Sequence, residues 1–275
     1  GTPGRPPPSL RKPGPFETMC LPKCDGQGCA RWGVVVTYVL SIAVNGLAAT
    51  GAVGGRSVAQ VSDENPTYVT PDGLTFAVWG LIYALELLLV CVQFSPAPHA
   101  ESLLRQRHFY MTTRQRIILA FAANAAWLPV YLSLRFELAL LVILVYLGAL
   151  VSVYSTMNTR TCESLLQWTT LASGVACNAS WVLIASCANA FTVGRARGWQ
   201  DTYGVGGTPE AALVCVVAVS LLAAALAAFR QDVAWAGVAC WAATGIHRMQ
   251  TTADPESFPV EAHSALLAEG ARWSA

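Results

Sequence analysis

Phe76, Trp79, Tyr83 and Glu86 are the residues whose types and spacing could do chemistry together. At about 100° per residue they fall within roughly 80° of one another on a helix, giving one aromatic face that ends in an acid. Such a face suits a flat, conjugated, hydrophobic ligand: rings to stack on, apolar walls and a polar anchor. Trp and Tyr also gather at membrane interfaces as anchoring belts, so Trp79 has a second reading as a belt or core residue. Glu86 is either an anchor for a ligand polar group or a proton-linked site, or else a protonated carboxyl hydrogen-bonded to Asn45, Asn124 or a backbone carbonyl. An acid near the middle of a span costs roughly 2.5–3.5 kcal/mol, so it needs some partner.

The helix is fed by a polar, proline-broken loop, Asn65 to Gly73. A loop cannot remain unpaired in lipid, so these residues lie at the membrane surface or line a protein-walled cavity. Catalytic groups do not stand out: there is no nucleophile with a nearby base, no paired carboxylates and no phosphate cradle. Gly204 to Gly207 precedes Pro209 and reads as a turn. Cys20, Cys24 and Cys29 cluster without a histidine, so a metal site would lack a fourth ligand, leaving ordinary thiols or a partner disulfide. His99, His108, His247 and His263 lie in connections or at a span end, which disfavours a tightly ligated haem. The expectation is a binding protein rather than an enzyme, with no resident metal.

The elements that must position these residues are membrane helices. Of 275 residues, 54% are hydrophobic and 12% charged, against about 25% charged in soluble domains. A net charge of +1 without a basic cluster excludes a nucleic-acid footprint. Apolar segments at roughly 33–55, 74–94, 116–134, 138–158, 166–190, 210–229 and 233–247 approach the ~20 residues a span needs; the last is short, so the count is six or seven. Arg135-Phe136-Glu137 and Arg230-Gln231-Asp232 each close an antiparallel hairpin. Lys and Arg are biased toward the N-terminal side of the connections, which puts that side on the cytosol-like face. Residues 1–32 form a tail whose Pro/Arg-rich start is expected to be disordered. That start is compatible with a transit-peptide remnant, hence a plastid or mitochondrial membrane, or with a plain cytosolic tail. Asn124…Trp127 and Asn178…Trp181 form a weak repeat on the third and fifth spans, and Pro129 should kink the third.

Asn65-Pro66 … Thr70-Pro71 … Phe76-Ala77-Val78-Trp79-Gly80-Leu81-Ile82-Tyr83 resembles the loop and second helix of the translocator-protein/TspO family, also called tryptophan-rich sensory proteins. Asn124-Ala125-Ala126-Trp127-Leu128-Pro129 resembles the family's third helix, and Trp168 to Asn178 its fifth. The resemblance covers 33–190, with 210–249 resembling the two extra helices of longer, seven-span members. It implies an all-α, polytopic transmembrane bundle with a TspO-like five-helix core at 33–190, a polar loop at 191–209, a further membrane hairpin at 210–249 and a C-terminal tail at 250–275. It also implies a pocket for porphyrins, sterols or similar flat ligands, formed by Trp79, Tyr83, Asn124, Trp127, Trp168 and Asn178. Compact members have a Trp and paired prolines in the first loop where this chain has Asn65-Pro66-Thr67-Tyr68, so the lid differs chemically.

Two functions follow. In the first, the protein is a sensor, carrier or regulator that binds a tetrapyrrole-like (porphyrin or chlorophyll-like) or sterol-like molecule in the membrane, among lipid, as a homodimer or part of a larger membrane complex. In the alternative it is a structural or pigment-binding accessory subunit of a photosynthetic or respiratory complex, packing through the small-residue surfaces Gly46 to Gly55 and Ala223 to Ala228. A small-solute transporter is disfavoured, since the spans show no inverted halves.

Overall fold

The computed structural model describes residues 26–252 and 258–275. Cys20, Cys24 and most of the N-terminal tail lie outside them. The fold is an all-α bundle built on α1 (Gly26–Ala49), α3 (Val78–Val92), α5 (Thr113–Leu132), α6 (Phe136–Thr156), α8 (Ser173–Ala196), α9 (Pro209–Arg230) and α10 (Val233–Met249). Short helices α2 (Val58–Glu64), α4 (Pro98–Arg105), α7 (Leu165–Gln167) and α11 (Ala265–Ser274) fill the ends, with one two-stranded hairpin, β1 (Arg107–His108) and β2 (Met111–Thr112). A 3-10 turn, Gly73–Ala77, leads into α3, and a π turn, Trp168–Ala172, joins α7 to α8 in one continuous helical rod.

Among the described residues, five stretches are long and apolar enough to cross a membrane: Gly28–Ala49, Gly73–Val92, Phe136–Thr161, Leu165–Ala196 and Pro209–Arg230. α5 is 20 residues long but carries Arg114, Arg116 and Asn124, and α10 is only 17 residues. Both are nonetheless packed into the bundle, α5 between α1 and α6, and α10 against α8, α9 and α11. Arg31 pairs with Glu101 at one end, while Arg197 pairs with Glu137 and Arg248 with Asp72 at the other, which sets α3 antiparallel to α1 and α10, and α6 antiparallel to α8. Leu40, Leu47, Leu81, Leu87, Leu141, Leu144 and Leu221 are exposed on the outer surface. That is the pattern of a bundle solvated by lipid, and the chain is an integral, multi-pass membrane protein.

Two boundaries depart from the sequence expectation for physical reasons. The first span was expected to run to residue 55, but α1 stops at Ala49; Gly51, Gly54 and Gly55 adopt φ near +75°, a left-handed turn rather than a helix surface. The third segment was expected to begin at residue 116, but α5 begins at Thr113 and buries Arg116 in its first turn. Its guanidinium donates to the Ser152 carbonyl and hydroxyl, the Thr113 hydroxyl at 2.8 Å and the Thr156 hydroxyl at 3.0 Å. A charge supplied with that many acceptors can begin a buried helix. The C-terminal segment folds back as α11, burying Leu267, Ala268 and Ala271 against α9 and α10.

Candidate ligand-binding chamber

α8 is the element that positions the site. Gly174 lets α3 approach so closely that a Cβ there would lie 3.0 Å from the Glu86 nitrogen and the Leu85 carbonyl carbon. One turn further along α8 Asn178 meets Glu86, and one more turn brings Trp181 against Phe76 (ring centroids 5.6 Å apart) and Trp79 (6.2 Å), both edge-on. Trp79 stacks on Tyr83 at 5.3 Å and 21°. On the facing helix Trp127 stacks on Tyr131 at 5.2 Å and 27°.

All of these rings except Tyr131 line a chamber of about 510 Å³, within the ~300–1,000 Å³ of small-molecule sites. Ile42, Asn45, Gly46 and Ala49 of α1 form one wall, Phe76, Trp79 and Tyr83 a second, and Trp127, Leu128, Trp181 and Ala185 the back; Ser57 and Val58 cover one end. Gly46 and Ala49 are exposed, so the chamber reaches the outer surface beside α1. One buried donor that borders it, Trp127 Nε1, has no hydrogen-bond partner, while the Tyr83 hydroxyl lies beside Asn124. Buried polar groups are rarely left so, and the Trp127 donor is available to a ligand.

The eight residues singled out by sequence divide into three places. Phe76, Trp79, Tyr83 and Trp127 meet around the chamber. Glu86, Asn178 and Asn124 lie off it as buried polar contacts between helices. Asn178 Nδ2 donates to Glu86 Oε1 at 2.5 Å, and the Tyr146 hydroxyl donates to Asn178 Oδ1 at 2.9 Å. Asn124 Nδ2 donates to the Ser41 hydroxyl at 2.8 Å, and Asn45 is turned to the Ser41 carbonyl of its own helix. Trp168 sits on the opposite face of α3, in an apolar outer groove of about 620 Å³ with Val78, Leu81, Val238 and Trp241. Trp181, Tyr131 and Asn45 complete the setting without having been singled out as site residues. Trp181 did carry a signal, as the second member of the Asn-x-x-Trp repeat: both repeats put their Trp on the chamber wall and their Asn in the helix contacts beneath it.

The loop from Asn65 to Gly73 is pinned over the chamber from two sides. Pro66 and Tyr68 exchange backbone hydrogen bonds with Gly206 at 2.9 and 3.2 Å. A Cβ on Gly206 would come within 2.7 Å of the Arg195 Cβ, so the glycine turn read from sequence serves this close approach. Arg195 donates to Asn65 Oδ1 at 3.0 Å, and the Tyr68 hydroxyl donates to Asp201 at 2.5 Å. Burial first, and this hydrogen bond second, push the Tyr68 phenol well above its ordinary value. From the other side α10 holds the loop: Arg248 pairs with Asp72 at 2.6 Å, and Trp241 Nε1 donates to the Thr75 carbonyl at 2.8 Å. Among the described residues no three His, Cys, Asp or Glu side chains converge as metal ligands.

A family model described as TSPO-like protein matches residues 31–268. The chain belongs to that TSPO-like family. The matched region runs from α1 through α10 and into α11, so the helices that pin the loop lie within it. No curated protein and no solved structure matches the chain.

Proposed function

We propose that this TSPO-like membrane protein binds a flat hydrophobic molecule, tetrapyrrole-like or sterol-like, in the chamber between α1, α3, α5 and α8, and acts as its sensor, carrier or regulator. Seven membrane crossings, with the loop side away from the cytosol-like face, complete the reading. The observation that carries it is an aromatic-walled chamber bordered by the Tyr83 hydroxyl and by one orphaned donor, Trp127 Nε1. Ring pairs lying 21° and 27° from parallel present flat faces, which favours a planar conjugated ligand over a puckered one. The binding residues are then Phe76, Trp79, Tyr83, Trp127 and Trp181, with Glu86, Asn124 and Asn178 setting the helix contacts beneath them.

The test is a titration of the detergent-purified protein with protoporphyrin, read by porphyrin absorbance, beside Trp79→Ala and Trp127→Ala variants whose thermal unfolding shows them folded. Saturable binding in the micromolar range, about −8 kcal/mol, weakened about tenfold or more in each variant, supports the chamber; cholesterol as competitor ranks the two ligand classes. Absence of saturable binding by the folded protein, or equal affinity in all three, overturns it.

A further inference from the structure

Behind the chamber, sharing Val58, Phe76, Trp127, Trp181 and Ala185 with it, lies a small annex of about 50 Å³, room for a few water-sized groups. Asn189 of α8 lines it, is 2% exposed, and has both Nδ2 and Oδ1 without a partner. Of the four hydroxyls that line the annex with it, Thr70 shares a hydrogen bond with Thr67 at 2.8 Å and Thr192 donates to the Ala188 carbonyl at 3.0 Å; Ser62 and Tyr131 supply the other two. The annex lining contains no charged side chain.

We propose that Asn189 is a specificity-determining recognition group for the polar end of the chamber's ligand, and that this end is a neutral edge carrying a donor and an acceptor side by side: a lactam, a primary amide or a protonated carboxylic acid. The inference rests on the chamber reading above and names the ligand chemistry that reading leaves open. A primary amide presents one donor face and one acceptor face in a fixed plane, so its complement must offer an acceptor and a donor at matching separation. An ionised carboxylate satisfies Nδ2 but sets two acceptors against each other at Oδ1, and no cation in the annex offsets its desolvation. The small volume admits the polar edge while the flat body stays among the rings.

Phenanthridinone, a planar lactam, and its N-methyl derivative, which keeps the carbonyl and loses the donor, are titrated against the native protein, Asn189→Leu and Asn189→Ala. The native protein is expected to bind the lactam at least tenfold more tightly than the N-methyl compound. Both variants are expected to bind the two equally, at about the native affinity for the N-methyl compound. Asn189→Ala adds no bulk and keeps the test open if the Leu variant does not fold. Equal native affinities, or a preference that persists in the variants as it would for an annex holding water alone, overturn the proposal. Failure of the native protein to bind either probe while it still binds protoporphyrin removes the annex and leaves the chamber; loss of all three removes both. Phenanthrene carboxylic acid and its methyl ester, compared below and above the acid's pKa, separate the sources of the edge. A preference for the acid, seen only below its pKa and only with Asn189 present, assigns protonated acids to the class, whereas a preference persisting above the pKa overturns the neutral-edge assignment.

Discussion

Replacing Asn178 by Leu should test whether Glu86 belongs to the helix packing or to the ligand. Asn178 is fully buried and touches two polar groups on two other helices: it donates to Glu86 Oε1 at 2.5 Å and accepts from the Tyr146 hydroxyl at 2.9 Å. Inter-helix hydrogen bonds within membranes measure about 0.6 kcal/mol on average and about 1.7 at most, so losing two costs about 1–3 kcal/mol. At about 2–4 °C per kcal/mol, the thermal midpoint in detergent should fall by about 6 °C. Glu86→Gln should be nearly silent, within about 0.5 kcal/mol, because an amide oxygen in the same place accepts from Asn178. The Glu86→Leu/Asn178→Leu double variant should be less destabilised than the two single changes added together, by about 1 kcal/mol, since neither partner is then left unsatisfied. Protoporphyrin affinity should be unchanged in Glu86→Gln, because Glu86 is 2% exposed and does not border the chamber. Additivity within about 0.5 kcal/mol would refute the coupling. A Glu86→Gln variant with a native midpoint and tenfold weaker binding would make Glu86 a ligand group and refute its placement among the helix contacts.

Three further outcomes are expected. Arg114 above all, with Arg105 and Arg31, holds the Glu101 carboxyl at about 2 against an ordinary 4.5, so the ionised form stabilises the fold above pH 4.5 and this contribution is lost as pH falls from there toward 2; Glu101→Gln should flatten that part of the midpoint-versus-pH curve, and a curve of unchanged shape counts against it. Arg248→Ala removes the ion pair that holds Asp72, with side chains only 32% and 25% exposed, and should speed ligand release several-fold in stopped-flow displacement while lowering stability by no more than about 1 kcal/mol; an unchanged release rate would show that the loop does not gate the chamber. Gly245→Ala would put a Cβ 2.0 Å from the Thr75 hydroxyl and 2.9 Å from the Pro71 Cβ, costing about 1–3 kcal/mol, whereas Gly237→Ala, with nothing within 4 Å, should leave the midpoint unchanged.

The bundle was legible because its signals are local. Long apolar runs, three-residue links and the periodic aromatic face require only the chain's own spacing, and they located the long helices and put Phe76, Trp79 and Tyr83 on one wall. What local spacing could not supply was depth and partner choice. Glu86 shares the aromatic face by angle, but one turn separates it from Tyr83, and at that level the close approach allowed by Gly174 brings α8 against α3 and closes the chamber. Trp168 matches a motif position, yet the π turn that contains it lies against the far side of α3 from the chamber. Asn189 looked like one more polar residue in an Ala-rich helix, since an amide acquires meaning only when the residues facing it are known to satisfy or neglect it.

α10 and the α8–α9 connection change the physics of the loop. A polar, proline-broken segment at the end of a bundle would ordinarily be held by water and by its own turns. Here its backbone is tied to Gly206 and Gly245, and its side chains to Arg195, Asp201 and Arg248, all C-terminal to the fifth helix's midpoint. A loop can be stiffened by ring and proline geometry of its own; in this chain Asn65-Pro66-Thr67-Tyr68 is held largely by external hydrogen bonds. Hydrogen bonds to other elements can be released together, while a proline ring cannot, so the loop over the chamber is coupled to the position of α10 and of the α8–α9 connection. Under the proposed function, a ligand that displaces Pro71 or Phe76 is therefore felt at Arg248, on the side where α10 ends and α11 begins.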